Sequence, residues 1–206
     1  MDIKIEHLGF RYGEREIFTD FSMEVPGGAI LCIMGESGCG KTTLLRLLSG
    51  RLTACAGRIT GTDGKRISAV FQEDRLCEDF SAKVNVKLGC SRGSYPNHAP
   101  VSEAAVLAHL DAVGLSDVSD QRVSELSGGM KRRVAIVRAV LSDSDLLFMD
   151  EPFTGLDDAT KQQVIRYILR EKGRRTLLAV THDADEAAAL GGTIIRLPSL
   201  TAEATI

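Results

Sequence analysis

Eight residues, Gly35-Glu36-Ser37-Gly38-Cys39-Gly40-Lys41-Thr42, fit the pattern GxxxxGK[ST] and follow directly on the apolar run Ala29-Ile30-Leu31-Cys32-Ile33-Met34. Glycines at this spacing let backbone N–H groups converge on a polyphosphate. Lys41 adds a point charge for the β- and γ-phosphates, and the Thr42 hydroxyl is a ligand for Mg²⁺. A second apolar run, Leu146-Leu147-Phe148-Met149, ends in two carboxylates. Asp150 reads as the one that holds Mg²⁺ or its water, and Glu151 as the group that orients or deprotonates an attacking water. Between them lies Leu126-Ser127-Gly128-Gly129-Met130, followed by a helical apolar pattern through Val134, Ile136, Val137 and Leu141. Ser127 is placed to cap that helix, and the two glycines behind it leave N–H groups exposed at a positive helix end, which is a second anion site. One nucleotide has no evident need of two such sites in one chain.

These groups require strand ends and helix starts to carry them. Short apolar runs alternate with helical patterns, which predicts a largely parallel sheet with helices packed on it. Strands are expected at Ala29–Met34, Ile67–Phe71, Asp145–Met149 and Thr176–Thr181. Helices are expected at about Lys41–Gly50, Ser102–Val113, Ala159–Glu171 and from Ala184. The N-terminal stretches Asp2–Leu8 and Ile17–Val25 alternate apolar and polar residues about a turn at Gly13, as half-buried antiparallel strands do. From about Glu73 to Glu125 the chain reads as an inserted lobe of polar loops and amphipathic helix, with a loop at Tyr95-Pro96-Asn97 and Ala99-Pro100. The tail from Leu197 is expected to be a stub.

The 206 residues carry 28 acidic against 25 basic side chains, a formal net charge of −3 without a long run of one sign. That is not the electrostatic footprint of a general nucleic-acid binder, and nucleic acid is not an expected partner. Five cysteines, none spaced as CxxC, point to a reducing compartment. No apolar run approaches the ~20 residues that a membrane helix needs, so a soluble chain is expected, with any work at a membrane done through a partner. His7, His98 and His109 show no ligand spacing with each other or with cysteine.

With GESGCGKTT, LSGGM and LLFMDEP in this order, nearly the whole chain resembles an ATP-binding-cassette (ABC) nucleotide-binding subunit. The resemblance implies an α/β fold of the P-loop NTPase class: a RecA-like parallel-sheet core, an N-terminal antiparallel β-subdomain and a helical subdomain. It implies one ABC ATPase domain over 1–206, with 1–72 and 145–206 forming the core and β-subdomain and about 73–144 the helical lobe. It implies ATP and Mg²⁺ as cofactors. The loop residues Gly35, Glu36, Ser37, Gly38, Cys39, Gly40, Lys41, Thr42 and Thr43 would bind the nucleotide, as would Ser127, Gly128 and Gly129. Tyr12 falls where the family stacks a ring on adenine. Gln72 falls at the glutamine that touches Mg²⁺ and links the lobes, Asp157 in a dimer-contact loop, and His182 at the γ-phosphate-sensing histidine.

The family fold separates the Ser127 motif from its own phosphate loop, so the resemblance implies two chains, identical or related, that share each ATP head to tail. It further implies separate permease subunits, an extracytoplasmic substrate-binding protein, and a peripheral position on the cytoplasmic face of the inner membrane. Gln72-Glu73-Asp74-Arg75-Leu76 resembles the entry to the permease-receiving groove of bacterial importers, whereas Cys77-Glu78-Asp79-Phe80 departs from their apolar pattern. Alternative readings are a soluble cassette ATPase of DNA repair or translation and a small P-loop kinase. Two smaller expectations concern single residues. Cys39, near a helix start, is expected to be sensitive to alkylation and protected by ATP, and Lys131-Arg132-Arg133 is expected to be a solvated helix face.

Overall fold

The structure, a computed structural model, describes residues 2–90 and 101–198. Strands β1 (Ile3–Tyr12) and β2 (Arg15–Val25) form a hairpin whose last pair is Tyr12 with Arg15, so the turn is Gly13-Glu14. Gly13 takes the left-handed conformation, φ 57°, that such a two-residue turn demands. The free edge of β1 accepts β4 (Ala56–Thr60), giving an antiparallel sheet in the order β2-β1-β4. Gly57 makes this pairing possible: a β-carbon there would stand 2.2 Å from the carbonyl oxygen of His7.

The second sheet is parallel, in the order β5-β6-β7-β3-β8, where β3 is Ile30–Met34, β5 Ile67–Val70, β6 Leu146–Asp150, β7 Thr176–Val180 and β8 Thr193–Arg196. Its central strands are apolar apart from Thr176, which opens β7, and Asp150, which closes β6, because they are covered on both faces. Cys32, Met34, Leu147, Met149, Leu177 and Ala179 enter one hydrophobic cluster. Their alternate neighbours Leu31, Ile33, Leu146, Phe148, Leu178 and Val180 enter another. The first cluster is closed by α2 (Ala82–Cys90), α3 (Glu103–Ala112), α4 (Gly128–Leu141), α5 (Asp158–Glu171) and α6 (Ala184–Leu190). The second is closed by α1 (Lys41–Leu48) and by Ile3, Ile5, Leu8, Phe10, Ile17 and Phe18 of the antiparallel sheet.

Helix α2 and strands β4 and β8 escape the sequence reading. Helix α2 contains two valines and ends at Gly89-Cys90, and its stability comes from tertiary contacts. Asn85 is fully buried, accepts from Cys77 N and donates to the carbonyls of Cys77, Phe80 and Ser81. Strand β4 is short and largely exposed, and β8 is an edge strand, so neither shows the alternation of a half-buried strand. The expected stub does not begin at Leu197: that residue is buried and its N–H bonds to Met34 O, extending the β3–β8 pairing. Residues 199–206, His98 and the Tyr95–Pro100 loop lie outside the described residues.

Leu147 is fully buried in β6, between β5 and β7. Leu147→Ala is expected to lower stability by about 2–5 kcal/mol in urea denaturation; a loss below about 1 kcal/mol would contradict a sheet covered on both faces.

Candidate functional site

Four of the candidate groups sit at or just beyond the C-terminal ends of parallel strands. The phosphate loop follows β3, Gln72 follows β5, Asp150 ends β6 with Glu151 behind it, and His182 follows β7. A cavity of about 320 Å³ at this edge is lined by Tyr12, Arg15, Ile17, Ser37, Gly38, Gly40, Lys41, Thr42, Thr43, Gln72, Asp150 and Glu151. Gly35, Glu36 and Cys39 belong to the loop but do not line the cavity.

The loop turns into α1 at Gly40, whose φ of 102° is left-handed. A β-carbon there would meet Ile17 Cγ2 at 2.7 Å, so glycine is required for both conformation and space. No side chain caps α1, so its first N–H groups are free to bind an anion. The Lys41 ammonium donates to the carbonyls of Gly35 (2.7 Å) and Glu36 (2.8 Å), which holds its charge over the loop. Cys39 is buried, 3% exposed, with its sulfur against Gly35. The expected sensitivity to alkylation is thereby corrected, because a reagent has no path to a packed thiol.

The Thr42 hydroxyl donates to Asp150 Oδ2 at 2.7 Å. Burial pushes the Asp150 carboxyl above the usual carboxylate range, while the Thr42 hydrogen bond pulls it back. The pair offers two hard oxygens, one of them an anion for which burial is costly, and the Gln72 amide lines the same cavity. This donor set fits Mg²⁺, which takes one or two carboxylates and fills its other positions with phosphate and water.

Glu151 has φ 46°, a left-handed value rare outside glycine. Its N–H bonds to Val180 O of the adjacent strand, and its Oε1 lies 3.3 Å from His182 Nδ1. Tyr12 stands at the cavity with 44% of its surface exposed and its ring edge-on to Phe10 at 4.9 Å. That leaves the ring available for stacking on a base.

Ser127, Gly128 and Gly129 are elsewhere: none of them lines the cavity. Ser127 Oγ accepts from Met130 N and caps α4, and the space beside Gly128 is open. Asp157 caps α5 by accepting from Thr160 N and Oγ1, bonds that hold its carboxyl below the usual range. Its loop lies against α4, since a β-carbon on Gly129 would stand 3.1 Å from Gly155 O.

Two residues bear on the site although the sequence alone does not mark them. Arg15, opposite Tyr12 in the hairpin, lines the cavity and approaches Gly38 O at 3.5 Å; its position directly after the turn was the available signal. Arg132 reads as part of a solvated face, yet it is 3% exposed and bonded to backbone at the ends of β5 and β6. Arg133 is likewise drawn inward, donating to the carbonyls of Val113 and Gly114. Only Lys131 of the three fits the expectation, with an ion pair to exposed Glu78.

The sequence profile of the family described as ABC transporter matches residues 18–154. The taurine import ATP-binding protein TauB of Roseobacter denitrificans is 38% identical over 94% of this chain and 76% of its own. An aliphatic sulfonates import ATP-binding protein of Burkholderia cenocepacia is 38% identical over 90% and 70%. The sulfate/thiosulfate import ATP-binding protein of Escherichia coli is 33% identical over 95% and 57%. Among solved structures, a dimeric post-hydrolysis ATP-binding cassette bound to ADP and Pi superposes with TM-score 0.78, 25% identity and coverage of 95% and 94%. An inward-facing, putative metal-chelate type transporter gives 0.78, 28%, and 97% and 80%.

The Asp150 shift predicts a pH dependence. The folded state holds this proton more tightly than the unfolded chain, so the stability it contributes is full in acid and lost as pH rises through the raised value. Asp150→Asn, which cannot ionise, should melt above the wild type at about pH 8 and lose that advantage near about pH 4. A difference in Tm that stays constant between those limits would contradict the assignment. For the loop, Lys41→Ala is expected to abolish ATP binding in calorimetry, and unchanged affinity would overturn its role.

Proposed function

The chain belongs to the ABC transporter family and is an ATP-binding, ATP-hydrolysing subunit, and from that premise we propose that it works as half of a nucleotide-bridged pair beneath a separate membrane permease. Residues 1–72 and 145–206 are the catalytic core and β-subdomain in this reading, and about 73–144 the helical lobe that meets the permease. The observation that carries the reading is the grouping of Thr42–Asp150 and Glu151–His182 at one strand edge, with the second anion cradle outside that cavity.

Tyr12 stacks on the base. The loop N–H groups, the α1 start and Lys41 hold the phosphates, with Arg15 as a further cation beside Gly38. Thr42, Asp150 and Gln72 would hold Mg²⁺, which supplies charge neutralisation for the departing phosphate. Glu151 accepts a proton from the attacking water as the water oxygen bonds to the γ-phosphorus and the bond from that phosphorus to the β–γ bridging oxygen breaks, releasing ADP and phosphate, and His182 orients the carboxylate from the other side. Because Ser127, Gly128 and Gly129 do not face their own cavity, they complete the anion cradle of a partner, with Asp157 at the same contact. Under a two-fold axis both composite sites form together.

Shifting such a pair from 1:99 to 99:1 closed requires about 5.5 kcal/mol of differential binding, shared between two nucleotides. Hydrolysis removes the bridging charge and the pair opens. Among the described residues no helix is long and apolar enough to cross a membrane. In this reading the motion is delivered to separate permease subunits, which the likeness to import ATP-binding proteins supports. The direction is import of a small solute, as the names of the relatives support, with a substrate-binding protein as donor in this reading. The chain would then sit on the cytoplasmic face of the inner membrane.

Glu151→Gln is expected to retain ATP and to elute from gel filtration as a dimer in saturating ATP with Mg²⁺. Elution as a monomer together with wild-type turnover would overturn Glu151 as the group that activates water.

A further inference from the structure

Helix α4 carries one side chain that no part of the mechanism above employs. Arg132 projects from α4 into the protein, and its guanidinium spans two strand ends. Nη1 donates to Phe71 O at 2.5 Å and to Asp74 Oδ1 at 2.9 Å, with Gln72 O at 3.5 Å. Nη2 donates to Glu151 O at 2.7 Å and to Asp150 O at 3.2 Å. One planar cation therefore joins the segment that bears Gln72 to the segment that bears Asp150 and Glu151.

Three further observations say what this junction does. First, Nε is buried with no partner, so the placement is poor as a stabilising device; an apolar side chain would avoid the cost of an orphaned charged donor. Second, the carbonyl it grips most closely on the β6 side belongs to Glu151, the residue held at φ 46°. A strained backbone persists only where its surroundings over-determine it, and Arg132 is one of those surroundings. Third, Arg132 lies four residues after Gly128 and so shares its face of α4. The helix start that carries the second anion cradle is thus rigidly tied to the grip on Glu151.

We infer that Arg132 is a positioning residue: it sets the backbone of Glu151 against that of Gln72 and makes hydrolysis depend on where α4 stands. A change at the α4 start would then reach Glu151 through one side chain. Arginine suits the task because its donors form a fixed planar fork, whereas a lysine ammonium at this depth cannot serve both strand ends at once. The inference rests on the reading that Glu151 activates water.

The test is steady-state hydrolysis and calorimetric nucleotide binding by the purified chain and its Arg132→Met, Arg132→Lys and Arg132→Ala variants, with Glu151→Gln alongside and Tm measured for each. A misplaced catalytic group costs on the order of 100-fold, so Arg132→Met and Arg132→Lys are expected to lose about that factor in kcat while KM and the affinity for ATP stay within about twofold. Guanidinium at tens of millimolar should restore about tenfold of the kcat of Arg132→Ala, without raising its Tm and without effect on Lys41→Ala. Wild-type kcat in Arg132→Met, or a kcat loss that tracks a lowered Tm and resists guanidinium, would overturn the inference. Should Arg132→Met fail to fold, the guanidinium response of Arg132→Ala or the kcat of Arg132→Lys decides by the same criteria. Wild-type turnover by Glu151→Gln would instead remove the reading beneath it, and the two failures are distinct.

Discussion

A carboxylate buried at the end of an apolar strand constrains everything around it. Asp150 closes β6 at 3% exposure, where ionisation is costly unless partners are supplied. The Thr42 hydroxyl is one partner, and it sits on the second residue of α1. Satisfying Asp150 therefore fixes the start of α1, and with it the phosphate loop, against a strand two places away in the sheet. A hard cation is the other natural partner, so the same electrostatic cost that shapes the fold would also favour the Mg²⁺ of the proposed mechanism.

The remaining groups follow from parallelism. Because β5, β6, β7, β3 and β8 all run the same way, every connection at their C-terminal ends emerges on one edge. Four of those ends carry Gln72, Glu151, His182 and the Lys41 loop. Alternate residues of each central strand feed two separate hydrophobic clusters, so the edge is held from both faces.

The two helix starts proposed to bind anions differ in how they are finished. At α1 no side chain caps the helix and a cation stands beside it. At α4 Ser127 takes one N–H and the glycines leave the others open. The first faces a cavity that the chain builds alone, and the second does not line it. Energy can pass between two such sites only through matter that touches both environments. Helix α4 meets this condition, since it starts at the proposed second cradle and carries Arg132 into the junction of β5 and β6.

Much of the site was legible without coordinates, because its determinants are local. GxxxxGK[ST] after an apolar run, two carboxylates closing another, and a capped Gly-Gly helix start are all patterns within about ten residues. So are the apolar runs that mark strands covered on both faces. What local pattern could not carry was which distant segments become neighbours. Lys131-Arg132-Arg133 reads as solvated by composition, but Arg132 is drawn inward by carbonyls some sixty and twenty residues away. Cys39 reads as reactive by its place near a helix start, but packing seals it. Helix α2, β4 and β8 lack a strong period of their own and exist because a neighbour pairs with them or Asn85 pins the loop before them. Side-chain type and spacing determined the chemistry available to this chain. The order of the strands determined which groups share an edge, because only the folded sheet brings together backbone that the sequence keeps apart.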